Sequence, residues 1–269
     1  GPRAGSDRRV DLDWAADALG PAAATPKSTY PQVSRPVDRT VQLRRDPALN
    51  EERIYVQYGS GQSCPAGWLN FDVSPTLRLQ KIKFIGNFIV PRSMRFPERV
   101  KYGDIVKGLP ISANSVDAVY ASHVLEHLAL DDLRVALRNT EKIMKHGAVF
   151  RCIVPDLAER ARRYISSFDA GAADASYNFM RTAYLGRESR PRTLVEHLRT
   201  ALGNSIHLWM WDEYSLKKEL EAVGFINIRR CHFGDSQDPM FARVEDPTRF
   251  VDQSTGVDIE EVAIEAIKV

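Results

Sequence analysis

A chain of 269 residues with 43% hydrophobic and 27% charged residues can build one sizeable core, alone or with a small cap, under a water-compatible surface. Its formal net charge of +2 supplies no long-range field that would draw nucleic acid, and apolar runs such as "KFIGNFIV" fall short of the ~18 residues of a membrane helix. Three scattered cysteines, Cys64, Cys152 and Cys231, form no C-x-x-C pair, which excludes a zinc ribbon or dithiol redox motif and suits a reducing cytoplasm.

Six of the fifteen prolines fall within residues 1–50, where large apolar residues are few. Such a segment cannot make its own core and reads as an N-terminal extension, with one short helix in "VDLDWAADAL". No basic stretch followed by an apolar one opens the chain, so no secretory signal is expected, and the initial Gly-Pro reads as a remnant of protease cleavage. Residues 51–269 change texture. Short β-type runs ("RIYVQY", "GWLNFDV", "RVKYGDI", "VDAVYAS", "AVFRCIVPD", "FINIRRCHF", "EVAIEAIKV") alternate with helical patterns, which predicts an α/β, Rossmann-like, seven-stranded and mostly parallel sheet. Between the fourth and fifth runs, "LDDLRVALRNTEKIMKHG" places Leu133, Leu137, Ile143 and Met144 at helical spacing and is expected to close on a left-handed Gly147. Before the sixth run, "YSLKKELEAVGF" repeats the device, with Leu216, Leu220 and Val223 inward and Gly224 at the end. No helix separates the last two runs, so the last strand is expected to be antiparallel. Residues 157–205 are too long for a simple connection and carry helical patterns, so they read as a helical cap.

The first chemistry-bearing stretch is "YVQYGSGQSCPAGWLNFDVSP". A Gly59-Ser60-Gly61 turn after a buried strand lets backbone N–H groups approach a polar ligand. Asp72 closes the second strand and Asp104 follows the third, so three successive strand ends offer glycine, acid and acid. A carboxylate accepts from ribose hydroxyls, whereas a phosphate cradle would want the G-x-x-x-x-G-K-[ST] pattern that is absent. Only eleven positions separate Gly61 from Asp72, against about 20 in a dinucleotide fold. The link must then be an extended loop through Pro65 and Gly67, with Trp68 either covering what a helix would have covered or serving as a plain core residue.

Together with "GDIVKGLPISANSVDAVYASHVLEHL", "EKIMKHGAVFRCIVPDL" and "SIHLWMWDEYSLKKELEAVGF", these motifs give the region from Ile54 to Val269 a pattern that resembles the class I S-adenosylmethionine-dependent methyltransferases. It is most similar to their branch with GxG, GWxNxD, LEHL and VPDL motifs, often associated with glycans and natural products. The resemblance implies S-adenosylmethionine as cofactor. It implies Gly59 and Gly61 beside the methionine part, with Tyr58 and Ser60 as neighbours, Asp72 and Val73 at the ribose, Asp104 and Ile105 at the adenine, and Ser122 and His123 next to the transferable methyl. Two departures stand out: the third glycine of the cofactor loop is missing, and Gln57 occupies a place where many relatives carry an acid.

In "SHVLEHL", His123, Glu126 and His127 stand at i, i+3 and i+4 and are expected to share one face of a helical turn. His-x-x-Glu-His also reads as an inverted zinc-protease pattern, but here it ends a strand and not a long active-site helix. The stretch is similar to metal-dependent methyltransferases of small-RNA termini and quinone precursors, which place an acid and Glu-His here and a further histidine before the last helix. That resemblance implies a metal set of His123, Glu126, His127 and His207. Mixed imidazole and carboxylate ligation admits zinc, manganese or iron, with magnesium less suited. The alternative has Glu126 and His127 bonded to backbone and His123 acting alone as general base. His146 and His232 read as surface residues and His197 as part of the cap.

Clustered histidines at a strand end favour removal of a proton from a hydroxyl, so O-methyl transfer is expected, with His123, Glu126 and His127 catalytic, and the resemblance to glycan- and natural-product-associated relatives implies a sugar or another glycosylated small molecule as acceptor. Cap residues such as Arg162, Arg163, Tyr164, Tyr177 and Arg181 would supply polar and stacking contacts. No membrane partner is expected, and nucleic acid is disfavoured because no basic run with interleaved aromatics occurs. An RNA 2'-O-methyltransferase and a non-catalytic protein of the same fold stay open as alternatives. A nicotinamide oxidoreductase is less favoured, for want of a second glycine set.

Overall fold

The computed structural model describes residues 53–82, 90–193, 206–254 and 256–269. The expected N-terminal extension, His197 and part of the expected cap lie outside them.

Strands β1 (Tyr55–Tyr58), β2 (Trp68–Asp72), β3 (Lys101–Tyr102), β4 (Val116–Ser122) and β5 (Met144–Val154) are followed by β6 (Phe225–Arg230). A small pair, β7 (Val251–Asp252) and β8 (Ile259–Glu260), precedes β9 (Val262–Lys268). The main sheet runs β3-β2-β1-β4-β5-β9-β6. Pairings from β3 through β5 are parallel, and β9 is antiparallel to both β5 and β6. This is the expected Rossmann-like sheet with its antiparallel last strand. Strand order reverses at β1, which pairs with β2 on one side and β4 on the other, and an open sheet offers its ligand crevice at such a switch point.

Period-two alternation divides the core. Val56, Val119, Ala121, Phe150 and Ile264 face one layer, where α2 (Leu130–Ile143) inserts Leu133 and Leu137. Leu216 and Leu220 of α5 (Glu213–Ala222) join them. The Asp212 carboxylate and Ser215 hydroxyl cap α5 reciprocally, and Gly224, at φ +99°, follows its C-terminus as anticipated. Gly147 corrects its expectation. Helix α2 stops at Ile143, β5 begins at Met144, and Gly147 takes φ +78° where the β4–β5 register shifts, so its left-handed backbone serves a bulge and not a helix end.

The other layer has an unusual cover. Among the described residues no helix connects β1 to β2; residues 59–67 cross in turns. Tyr55, Trp68, Ala118 and Tyr120 instead pack against Phe241, Val244 and Phe250, from the stretch between β6 and β7. Trp68 lies at 5.3 Å from the Tyr55 ring and 5.5 Å from Phe241, and its Nε1–H donates to the Met240 carbonyl at 3.1 Å. It is a core residue and also the anchor of that cover. Arg151 of β5, 1% exposed, pins the same stretch through Glu245 at 2.9 Å and Asp235 at 3.0 Å, and reaches Glu265 of β9 at 2.9 Å.

Helix α1 (Pro75–Gln80) follows β2, and the region expected as a cap contains α3 (Leu157–Asp169), begun by the Asp156 side chain, and α4 (Ala175–Thr182). No described helix is long and apolar enough to cross a membrane.

Candidate active site

The parallel strands β1 to β4 end along one edge of the sheet, and the loops leaving them carry the expected cofactor residues. Gly59 and Gly61 take φ +64° and +55°. A Cβ on Gly59 would stand 2.2 Å from Val124 Cγ2, so the glycine lets the β1 and β4 loops touch. Nothing lies within 4 Å of where a Gly61 Cβ would be, so the space beside that backbone is open. Asp72 is nearly buried, and its two carboxylate oxygens accept from the Gly61 amide at 2.8 Å and the Ser74 amide at 2.7 Å. The carboxylate is thereby aimed before any ligand arrives, and each oxygen retains a further lone pair. Asp104 accepts from the Val106 amide at 3.0 Å and meets Lys107 at 3.1 Å.

Side chains divide the expected cofactor set. Asp72, Asp104 and the half-exposed Val73 lie at the strand ends. Tyr58 and Ile105 point into the core, the Tyr58 hydroxyl sharing a 3.2 Å hydrogen bond with Thr140, so their side chains are unavailable to a ligand. Gln57 is buried in the sheet, and its Oε1 has no hydrogen-bond partner.

At the end of β4 the chain turns sharply. Ser122 closes the strand, His123 adopts a left-handed φ of +53°, and Leu125–His127 form one short 3-10 turn. The expected shared helical face is therefore replaced by a corner, which nonetheless brings the three side chains together. Glu126 is fully buried, and neither carboxylate oxygen has a hydrogen-bond partner of normal geometry. Its Oε1 lies 3.4 Å from His123 Nδ1 and 3.9 Å from His127 Nε2. The Glu126 carbonyl accepts from the Leu208 and Trp209 amides at 2.8 and 3.2 Å, which delivers His207 from the loop before α5. Among the described residues, Glu126, His127 and His207 form a group whose ligand atoms all lie within 4.8 Å of one another. His123 touches Glu126 but is not part of that group.

The three histidines are electrically distinct. His123 Nε2 meets the Arg249 carbonyl at 2.9 Å while Nδ1 faces Glu126, so both ring nitrogens look at oxygen acceptors. Burial opposes its protonation, but Glu126 and then the Arg249 carbonyl outweigh it, and its pKa lies above the ordinary histidine value. In this arrangement His123 has no free lone pair with which to act alone as a base. His127 donates from Nδ1 to the Ile206 carbonyl at 3.1 Å, which leaves the Nε2 lone pair toward Glu126. His207 is buried against Met210 Sδ at 3.2 Å and the Tyr184 ring, and burial lowers its pKa and favours the neutral ring. Of the expected bonding of Glu126 and His127 to backbone, His127 makes such a bond, to a distant loop, whereas the Glu126 carboxylate makes none.

These groups line a cavity of about 320 Å³, closed by residues that give no local signal in the sequence: Arg160, Arg249, Asp252 and Glu261. Arg160 is 2% exposed. It is held bidentately by Glu261 at 2.8 and 2.9 Å, by Asp252 at 3.1 Å and by the Thr182 carbonyl at 2.8 Å. Its partners stand 101 and 92 positions away, and each reads in the sequence as an ordinary surface charge.

Three solved structures are similar to this chain at low identity. One, from Haloferax volcanii, is described as a complex of the Trm112 methyltransferase activator with a putative methyltransferase; identity is 14%, coverage 81% of this chain and 84% of that one, TM-score 0.41. A SAM-dependent methyltransferase from Archaeoglobus fulgidus shares 15% identity over 82% and 89%, TM-score 0.41. A phosphoethanolamine N-methyltransferase from Haemonchus contortus shares 11% over 80% and 48%, TM-score 0.42. No curated protein matches the sequence. The segment that carries Gly61, Asp72, Asp104, His123, Glu126 and His127, residues 60–152, matches the family profile described as the methyltransferase domain.

Proposed function

We propose that this chain is an S-adenosylmethionine-dependent methyltransferase that acts on a hydroxyl of a sugar or glycosylated small molecule. The observation that carries the chemistry is the Glu126 carboxylate, fully buried between the His123 and His127 imidazoles at 3.4 and 3.9 Å, at the strand end next to the glycine and aspartate loops. A buried carboxylate held only by such long contacts is incompletely compensated, and a cation or an acidic proton that enters beside it relieves the remaining cost. The residues present suit the cofactor: an aimed Asp72 for ribose hydroxyls, open space beside Gly61, and Asp104 one strand further along. When bound, S-adenosylmethionine supplies a methyl on an already activated leaving group, so the protein has to align the acceptor and take its proton. His127 Nε2 is the ring nitrogen placed to receive that proton, with Glu126 holding the charge that results and His123 positioning Glu126 from the other side. Glu126, His127 and His207 also suit a divalent cation, zinc, manganese or iron by their donor types, and when bound such an ion would acidify a ligated hydroxyl.

The test is calorimetric titration with S-adenosylhomocysteine, alongside transfer of labelled methyl to sugar hydroxyls and to amines. Wild type is expected to bind, and Asp72→Ala to bind about tenfold or more weakly through loss of charge-assisted hydrogen bonds. Glu126→Gln should bind the cofactor product like wild type yet lose about 10²- to 10⁴-fold in turnover. Chelation followed by zinc or manganese should change turnover and leave cofactor affinity as it was. No heat from wild type would sink the reading, and labelling of amines alone would move the acceptor class.

A further inference from the structure

A second cavity, of about 370 Å³, lies between α3 and α4, with Val257 and Ile259 from the β7–β8 region along it. It shares one lining residue, Arg160, with the His–Glu cavity. Its size falls in the ~300–1,000 Å³ range of small-molecule sites. The Tyr164 and Phe179 rings, with centroids 5.6 Å apart and tilted by 50°, give it aromatic surface, and Ser166, Ser167 and Asn178 give it neutral hydrogen-bonding groups. Both guanidiniums in its lining are already engaged. Arg160 is held by Glu261 and Asp252, and Arg163 by Glu159 at 2.7 Å and the Asp258 carbonyl at 2.6 Å. A phosphate or carboxylate would need such a fork to be free. An amphipathic ring, apolar on its face and hydroxylated at its edge, matches aromatic walls and neutral polar groups without disturbing either ion pair.

We propose that this cavity is the subsite for a distal, uncharged sugar ring of the acceptor, while the hydroxyl to be methylated enters the His–Glu cavity on the other side of Arg160. The inference rests on the methyltransferase reading and deepens it. Arg160 then acts as a positioning residue: its fixed guanidinium sets the distance between the ring that is recognised and the oxygen that reacts.

The experiment applies the whole 269-residue chain to an array of neutral oligosaccharides and their sulfated or uronate counterparts, with S-adenosylhomocysteine titration in parallel. Wild type should retain neutral glycans, and Tyr164→Ala should weaken the best of them about tenfold. Ser167→Trp, which fills the cavity from a half-buried position, should abolish retention while S-adenosylhomocysteine affinity stays at the wild-type value, a check that the fold is intact. Retention unchanged in Ser167→Trp, a preference for acidic glycans, or no retention alongside normal cofactor binding would each overturn the subsite. Glycan retention without cofactor binding would instead overturn the methyltransferase reading and leave the sugar site standing.

Discussion

Gly59 shows how much one missing methyl group decides at the edge of the sheet. With Val124 Cγ2 only 2.2 Å from the position of a Cβ, Gly59→Ala forces the β4 corner away from the β1 loop, and its φ of +64° adds backbone strain. Overpacking of this kind costs about 1–3 kcal/mol. Val124→Ala removes the obstructing branches, so in denaturant unfolding the double variant should recover ~0.5–3 kcal/mol relative to the sum of the single changes. Strict additivity would show that the contact is not what demands glycine. At this scale the sequence was informative about chemistry and less so about geometry. His123, Glu126 and His127 were legible as candidates from their spacing and His207 from the resemblance alone, and all four line one cavity. Their arrangement was not, because spacing presumes a helical turn and His123 turns left-handed instead. Arg160, Asp252 and Glu261 stayed invisible, since an ion pair between residues about a hundred positions apart leaves no local pattern.

At the scale of elements, the mostly parallel sheet was readable from the alternation of β-type and helical runs, its antiparallel end from the missing helix before the last run, and the short Gly61–Asp72 interval foretold a crossover without a helix. What covers the exposed layer was not readable. Phe241, Val244 and Phe250 follow neither a helical nor a strand period, because their stretch is built from 3-10 turns and bends. Arg151 fastens that stretch to β5, and Glu245 opposite it has a fully buried side chain. Replacing Arg151 by Met leaves that carboxylate without its cation, for which the expected loss is about 3–5 kcal/mol. Arg151→Met combined with Glu245→Gln should regain part of it. Hydrogen exchange would localise the effect: amides of residues 231–250 should lose protection before those of β4. Equal loss across the sheet would mean that the cover is not a separable unit.

For the molecule as a whole, the same clamp writes itself into the dependence of stability on pH. Burial pushes Asp235 upward, but Arg229, the His232 amide and Arg151 outweigh it and hold its pKa down at about 2. A carboxylate depressed in the folded state stabilises the fold at pH above its unfolded value of about 4, and that contribution disappears as pH falls through the folded pKa. Wild type should therefore exceed Asp235→Asn in unfolding free energy at neutral pH, and the gap should narrow steadily between about pH 4 and pH 2. A constant gap would assign the stabilisation to shape and not to charge. The late-arriving cover has a consequence in time as well. Trp68 is sealed by Met240, 172 positions later, and Tyr55 meets Asp238, 183 positions later. A chain emerging from the ribosome carries Tyr55, Trp68 and Tyr120 bare through most of its synthesis. Contacts this distant in sequence slow folding, so the nascent chain spends its longest interval with an aromatic sheet face open to misassociation, and its demand on chaperones is set by the arrival of residues 231–250.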